Sequence, residues 1–468
     1  MQSLRLRIRP FLGSRSFYAA TLAVMIPVTI QQLINNLFNM VDNLMVGRLD
    51  VEGLAMSAVN VANKPYAVFF GVFFGMTGAA GLMISQYYGA GDRKTCQGLF
   101  SLQMVLGFGA SLLFFFLLKL FPRQIMGIFV TDERTIQLGM QYLSVIAYSY
   151  LPVAVSNTCI FSLRSLGHNK VSMLVSLATM GLNALCNYVL IFGALGVPAL
   201  GVKGAAYGTL IARTAEMGVY LSLLTRKKMY FSWDLSAFTA LPKATVKSFG
   251  RKAVPLITNE VLWSMGLNVF FWCYARLDEV SLPAITIAEQ CNLIGAVLSA
   301  GASSAVSVLI GTELGANRLK EAKENCKKLL TLDIAVSLVA SALCCTLAVV
   351  MPKLFNLSPQ LQYTARTITL IMGVLCPLQF VYGFCFFCLR AGGDTRSAML
   401  LDSGYLWALP VPVAVLMGLL LPGKIQLPQA VLIVQFLMYA KVVLALWVLK
   451  KGKWVRNITR EPAQNACA

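Results

Sequence analysis

The sequence predicts an all-α polytopic membrane protein whose twelve transmembrane helices form two pseudo-symmetric six-helix lobes around a central cavity. Two observations support this fold class. Of the 468 residues, 57% are hydrophobic and only 12% are charged, whereas about a quarter of the residues in a soluble domain are charged. Phrases from the first half of the sequence also recur in the second half, as in transporters built from structural repeats.

Apolar stretches long enough to cross a bilayer, roughly 17–25 residues each, recur along the whole chain. They lack the alternation of apolar and polar residues that is typical of a transmembrane β-barrel. We predict twelve spans, near residues 17–40, 53–80, 97–121, 136–160, 170–193, 203–225, 250–273, 283–311, 327–351, 363–388, 397–421 and 427–449.

Two pairs of phrases carry the internal repeat. ISQYYGAGDR from Ile84 resembles IGTELGANR from Ile310, and LRSLGHNKVSM from Leu163 resembles LRAGGDTRSAM from Leu389. Both pairs are separated by 226 residues, which indicates two halves that fold alike. Six spans in each half give both halves the same orientation. We therefore expect a parallel repeat related by an axis along the membrane normal.

Lysine and arginine mark the predicted topology. They are concentrated at the termini and in the loops on the same side as the termini, and the base-rich side of a membrane protein is cytoplasmic. We expect a multi-pass protein of the plasma (inner) membrane with both termini in the cytoplasm and no removable signal peptide. Its predicted parts are an N-terminal segment, a first lobe, a connector, a second lobe and a tail, at residues 1–16, 17–225, 226–249, 250–449 and 450–468.

Composition and motifs exclude several classes of function. The net charge of +20 comes from bases in short loops between spans, where they favour anionic lipid as a partner and not nucleic acid. His168 is the only histidine, and the sequence has no Walker loop, no GxSxG and no HExxH. We expect no enzyme and no cofactor, with energy supplied by an ion gradient, a partner or the substrate itself.

The first span carries an unusual polar stripe. Its members fall within an arc of about 140° on a helix of 100° per residue, and they are Gln31, Gln32, Asn35, Asn36, Asn39, Asp42 and Asn43. Such a stripe cannot face lipid, because each unpaired amide costs on the order of 1–3 kcal/mol or more. We interpret it as a cavity lining, to which Gln32, Asn35, Asn36 and Asn39 contribute. The alternative is hydrogen bonding between helices.

Acidic residues within spans cost roughly 2.5–3.5 kcal/mol at mid-membrane and usually mark ion or substrate sites. The candidates are Asp42, Glu216, Glu260, Glu289, Asp333 and Asp402. Asp333 and Asp402 lie near span ends, where we expect them to reach the interface. We interpret Arg213 and Glu216 as a structural i,i+3 ion pair.

Other polar residues within the spans extend the candidate cavity. Glu260 lies near mid-depth, with Ser264 and Asn268 on the same side of its helix, and Glu289 lies in the outer part of span eight. Lys64 lies at a depth similar to that of Glu260. We hypothesise that it pairs with an acidic residue across the central cavity; the alternative is a pair within its own lobe.

Two further features repeat at regular spacing. Asn183 and Asn187 are one turn apart in span five, where they line a polar pocket or bond neighbouring helices. Prolines occupy matching spans of the two halves, with Pro27 and Pro255 in the first and Pro152 and Pro377 in the fourth. The matched prolines favour a hinge, although membrane helices also tolerate proline without bending for function.

These residues resemble the multidrug and toxic compound extrusion (MATE) family over nearly the whole chain. The resemblance rests on the phrases IPVTIQQLINNLFNMVDNLMVGRL, ISQYYGAGDR, NALCNYVLIFG followed by LGVKGAAYGT, and LRAGGDTRSA. It implies twelve helices in two lobes with a V-shaped cavity, and exchange of H+ or Na+ for drugs that are often cationic and amphipathic. The residues that would couple the cation are then Asp42, Glu260, Asn183 and Asn187.

The sequence departs from the family pattern at two places. Some members have an aspartate where Asn187 stands, and others have an acidic residue in span ten, where residues 373–389 contain none. We expect a cation antiporter for small organic, drug-like compounds, a monomer in the lipid bilayer, with H+ or Na+ as the coupling ion and a possible Na+ site at Asp42 or Glu260. The alternative is a flippase for a lipid-linked or lipid-like substrate.

Overall fold

The structure is a computed structural model that describes residues 13–47, 49, 54–130, 132–226, 230–278, 281–354 and 358–459. All regular elements in these ranges are helical, so the predicted all-α class is confirmed. Helices α1 to α9 are Arg15–Gly47, Leu54–Ala62, Lys64–Gly89, Arg93–Leu120, Pro122–Gly127, Glu133–Ile146, Tyr150–Ser165, Asn169–Phe192 and Gly201–Thr225. Helices α10 to α18 are Lys243–Leu277, Leu282–Gly315, Leu319–Val350, Pro359–Ala391, Thr395–Met399, Tyr405–Ala408, Pro410–Leu420, Leu427–Ala440 and Val442–Lys450.

Within the described ranges, twelve helical segments occupy the twelve predicted spans, and some of the segments are interrupted. Span two is divided at Asn63, and span twelve is divided at Lys441. Span eleven contains a π-helical turn, Leu400–Gly404, between α14 and α15. Such irregular turns inside helices are frequent at functional sites. The interruptions therefore direct attention to the polar residues beside them.

Ten of these segments are long and apolar enough to cross a membrane. The two that fall short are α9 and α10, which occupy predicted spans six and seven. Both carry charged residues within their length, Arg213 and Glu216 in α9 and Glu260 in α10. Charged residues inside membrane helices face the protein interior or a cavity. The lower hydropathy of these helices is thus a mark of the sites that they build.

The chain forms two compact units. The N unit contains residues 30–84 and 93–246, and the C unit contains residues 13–29, 85–92 and 247–459. Helix α1 therefore contributes its first half to the C unit and its second half to the N unit. Pro27 lies inside α1 close to the point where the membership changes.

The internal repeat is confirmed in the backbone of the turns that follow α3, α7, α11 and α13. Gly167 and Gly393, 226 residues apart, both have φ of +78°. Gly91 has φ of +77°, and its equivalent Asn317 has φ of +62°. Only glycine adopts this left-handed conformation freely, and asparagine is among the few other residues that visit it. The repeated phrases therefore encode the same helix-ending turn in both halves.

Candidate functional site

The N unit contains a cavity of about 380 Å³, within the roughly 300–1,000 Å³ that is usual for small-molecule sites. Helices α1, α2, α3, α6, α7, α8 and α9 all contribute to its wall. Its polar lining includes Asp42, Asn60, Asn63, Thr209 and Arg213. Tyr66 and Tyr142 supply aromatic faces. The cavity therefore suits a ligand that combines charged groups with an apolar body.

Asp42 is held in this cavity by two amides from α8. Asn187 Nδ2 donates a hydrogen bond of 2.8 Å to Asp42 Oδ1. Asn183, with its amide oriented so that both ends are satisfied, donates to Asp42 Oδ2 at 3.1 Å and accepts from the backbone N of Thr209 at 3.3 Å. The structure thus brings together three residues that the sequence singled out. Their part in coupling a cation remains a prediction.

Small residues on α9 allow this arrangement. Gly208 lies so close to Asn187 that an added Cβ would overlap its side-chain oxygen, and Gly204 lies equally close to the backbone of Leu190. Small residues let membrane helices approach closely and form hydrogen bonds across the contact. The phrases NALCNYVLIFG and LGVKGAAYGT therefore encode one tight helix pair, α8 with α9, which positions Asn187 against Asp42.

Arg213 is a cavity residue that the sequence analysis did not identify as one. Its Nη1 lies 3.0 Å from Glu216 Oε2, so the predicted ion pair forms. The Glu216 side chain is 1% exposed, whereas the Arg213 side chain is 36% exposed and lines the cavity. Ala205, Thr209 and Arg213 follow one another at i,i+4 on α9, and all three line the cavity. That spacing is the signal that could have revealed the position of Arg213.

The rest of the polar stripe on α1 does not line this cavity. Gln31 is buried, donates to Ser176 Oγ at 2.8 Å and accepts from Arg164 Nη2 at 3.2 Å. It therefore bonds neighbouring helices, which was the alternative interpretation of the stripe. Asn35 Nδ2 donates to Gln32 Oε1 at 3.2 Å.

Three other predicted residues beside the cavity have different outcomes. Asn36 is half-buried on α1, and the side chain of Asn39 lies outside the described residues. Lys64 is the first residue of α3, and its side chain is exposed. Its partner remains untested, since no ion pair joins Lys64 to another residue in the part of the chain that the structure describes.

In the C unit, Glu260 lies on α10 beside a built-in cation. Arg390 of α13 places Nη1 3.6 Å from Glu260 Oε1. The guanidinium of Arg390 also lies over the rings of Phe386 and Phe387, 5.3 and 5.2 Å from their centroids. Arginine stacks on aromatic faces in this way while it binds a carboxylate. The charge of Glu260 is therefore already balanced within the C unit.

A second buried network lies next to Glu260. Lys441, only 1% exposed, places Nζ 2.7 Å from Asp402 Oδ1. Asn259 Nδ2 donates to Asp402 Oδ2 at 3.0 Å, and Ser403 Oγ donates to Asn259 Oδ1 at 2.7 Å. Tyr382 covers the ammonium with its ring centroid 3.9 Å away. The expectation that Asp402 reaches the interface is therefore wrong, because its π-helical turn and Lys441 hold it inside the unit.

Asp333 also differs from expectation. Its side chain on α12 is 5% exposed, and Oδ2 has no hydrogen-bond partner among the described residues. It borders a space of about 10 Å³ together with Thr21 and Met25 of α1, close to the smallest volume that holds one water. The expected position at the interface is wrong, since α1 and α11 cover the side chain.

Ser264, Asn268 and Glu289 do not join the charged residues of the C unit. All three side chains are exposed, and Asn268 Nδ2 donates to the backbone O of Ser264 at 2.8 Å. Among the described residues, no hydrogen bond or ion pair links them to Glu260. Their expected place in a substrate cavity remains a prediction.

A model of the MatE family matches residues 27–189 and again residues 255–416. The chain belongs to the MATE family. The double match agrees with the repeat seen in the backbone, and it makes the chain a multi-pass membrane transporter.

Relatives with known sequences or structures extend this result. The "Uncharacterized transporter YisQ" of Bacillus subtilis is 21% identical over 404 residues, 86% of this chain and 87% of that protein. The "Probable multidrug resistance protein NorM" of Streptococcus pneumoniae is 24% identical over 302 residues, 64% of this chain and 66% of that protein. The crystal structure of a mutant of the Vibrio cholerae MATE transporter VcmN covers 94% of this chain and 99% of its own, with a TM-score of 0.83 and 16% identity. The structural likeness concerns the fold alone.

Against the MATE pattern, the two departures noted in the sequence have structural counterparts. Asn187 stands where some members have an aspartate, and it donates to Asp42, as a second carboxylate could not. Asp42 thus keeps one negative charge with neutral partners. In span ten, where other members have an acid, this MATE protein has Arg390 at the end of α13 as the counter-ion of Glu260.

Proposed function

We propose that this MATE transporter is a secondary active antiporter that exports amphipathic, often cationic compounds in exchange for inward H+ or Na+. The observation that carries the proposal is the cavity of the N unit, where a carboxylate is held by two amides and faced by aromatic rings. The curated relative named as a probable multidrug resistance protein supports drug-like compounds as the substrate class.

Asp42 provides the charge that both cations would use. In its ionised form it accepts hydrogen bonds from Asn187 and Asn183. A proton, a sodium ion or an organic cation that binds it changes this hydrogen bonding and neutralises a charge in a site of low polarity. Each cation therefore favours a different packing of the helices around Asp42, and such a difference is what shifts a transporter between states.

The Asn183 amide can report which state is present. In one orientation its nitrogen faces Asp42, which suits a carboxylate that accepts. In the other, its nitrogen lies 3.4 Å from Thr209 Oγ1, and its oxygen faces Asp42, which suits a carboxylic acid that donates. A protonated carboxyl group has a donor that the ionised group lacks. Both protonation states of Asp42 thus have a matching partner at the same position.

The decisive experiment is efflux of ethidium from proteoliposomes in which pH and sodium gradients are imposed independently. We expect gradient-driven efflux in the wild type and its loss in Asp42→Asn and in Glu260→Gln. If both variants retain full gradient-driven efflux, the proposed roles of these carboxylates are refuted. Dependence on one gradient alone identifies the coupling ion, and a parallel assay of lipid flipping separates the antiporter from the alternative flippase.

We further propose that the protein works as a monomer in the plasma membrane with both termini in the cytoplasm. The basic connector between the two halves supports this topology, since Lys243, Lys247 and Arg251 all have exposed side chains and bases mark the cytoplasmic side. Labelling of single cysteines introduced near the two termini, in intact and in permeabilised cells, tests the orientation.

A further inference from the structure

Arg213 gives the cavity of the N unit a cationic group in addition to the carboxylate of Asp42. Both residues line the same cavity, and they do not form an ion pair with each other. The Arg213 guanidinium has five N–H donors. In the described part of the chain its only hydrogen-bond partner is Glu216, which receives one bond through Nη1. The remaining donors are available on the side of the guanidinium that is exposed to the cavity.

The burial of the pair shows which partner serves the protein and which serves the cavity. Glu216 is 1% exposed and does not line the cavity, whereas Arg213 is 36% exposed and does. Glu216 therefore anchors Arg213 from behind and fixes the direction of its guanidinium. Fixed, partly desolvated arginines recognise carboxylate and phosphate groups through paired hydrogen bonds.

We propose that the N-unit cavity binds zwitterionic aromatic compounds, whose anionic group is bound by Arg213 while their cationic group approaches Asp42. This inference rests on the proposed function and narrows its substrate class. Tyr66 completes the site, since it lines the cavity and stacks on Phe70 with ring centroids 6.1 Å apart. The volume of about 380 Å³ accommodates an organic molecule with several fused rings. A purely cationic compound of the same size meets Arg213 as a like charge and binds less well.

The test uses a matched pair of dyes, a rhodamine with a free carboxylate and its methyl ester. The first is a zwitterion at neutral pH, the second is a cation, and their ring systems are identical. Fluorescence anisotropy with the purified full-length protein in detergent gives a dissociation constant for each dye. We expect the wild type to bind the zwitterion about ten- to a hundredfold more tightly than the ester, as one charge-assisted contact implies.

The paired variant Arg213→Gln/Glu216→Gln removes both charges, so that no buried carboxylate is left without a partner. We expect the affinity ratio between the two dyes to fall towards one in this variant. If the paired variant does not fold, Arg213→Lys keeps a cation beside Glu216 but loses the planar fork, and the ratio must then fall by several-fold.

A wild-type ratio near one, or a ratio unchanged in the variant that folds, would overturn the proposal. Binding in detergent needs no gradient. A failure of gradient-driven efflux would thus refute the proposed antiport without changing the dye ratio. A ratio near one would refute the zwitterion site without affecting gradient-driven efflux.

Discussion

Gly208→Ala is the sharpest test of how the helices position Asp42. Gly208 on α9 faces Asn187 on α8, and a Cβ at this position would overlap the Asn187 side-chain oxygen and lie 3.0 Å from its backbone N. The conflict includes backbone, so rotation of a flexible side chain cannot remove it. Either α9 moves away from α8 or the Asn187 amide leaves Asp42.

Both responses have a cost that can be bounded. Overpacking of a close contact costs about 1–3 kcal/mol. The bond from Asn187 to Asp42, 2.8 Å long, is of the charged kind that contributes about 1.5–3 kcal/mol. Because each 1.4 kcal/mol is a factor of about ten in an equilibrium, we expect the alanine variant to lose roughly tenfold or more in ethidium efflux. We also expect a lower melting temperature in detergent.

Gly218→Ala provides a matched control on the same helix. Gly218 is exposed, and a Cβ there would have no neighbour within 4 Å. Alanine in a helix interior is more favourable than glycine by about 1 kcal/mol, so this variant should transport like the wild type and melt no lower. If Gly208→Ala has wild-type efflux and stability, the contact between α8 and α9 does not position Asp42, and the reasoning fails.

Three further outcomes follow from the C unit and the start of α3. Lys441→Met leaves Asp402 buried without its counter-ion and should destabilise the protein by about 3–5 kcal/mol, whereas Lys441→Met/Asp402→Asn should recover most of that loss in thermal melting. Arg390→Gln should raise the affinity of Glu260 for cations, seen as tighter ethidium binding in detergent, and an unchanged affinity would show that Arg390 does not compete for the site. Lys64→Met should leave thermal stability unchanged because Lys64 is exposed; a marked drop in melting temperature would show a structural partner.

Local sequence patterns predicted much of the fold and half of the site. Hydropathy located the twelve spans, and the repeated phrases located the helix-ending turns, including the matching conformations of Gly167 and Gly393. Helical spacing placed Asn183 and Asn187 on one face, and the polar stripe pointed to Asp42. The joining of these residues at 2.8 Å required only that two polar faces find each other within one lobe.

The charge partners in the C unit were not predictable in the same way. Glu260 and Arg390 are 130 residues apart, and Asp402 and Lys441 lie on different spans. Periodicity indicates the face on which a residue lies, but it does not identify the residue opposite. Lys441 gave one usable signal, a lysine within an apolar stretch, since such a residue must find a partner or lose its charge.

The two units therefore offer cations different conditions. In the N unit, Asp42 has neutral amides as hydrogen-bond partners, so a cation can bind it by addition. In the C unit, Glu260 and Asp402 are each paired with a cation of the protein, so an incoming cation can bind Glu260 only by displacing Arg390. Addition to a carboxylate with neutral partners costs no existing ion pair, whereas displacement breaks one and leaves Arg390 buried beside two rings. Uncompensated buried charges cost several kcal/mol. A cation that arrives alone should therefore bind first at Asp42, and the C unit should respond only to a ligand that also supplies a partner for Arg390.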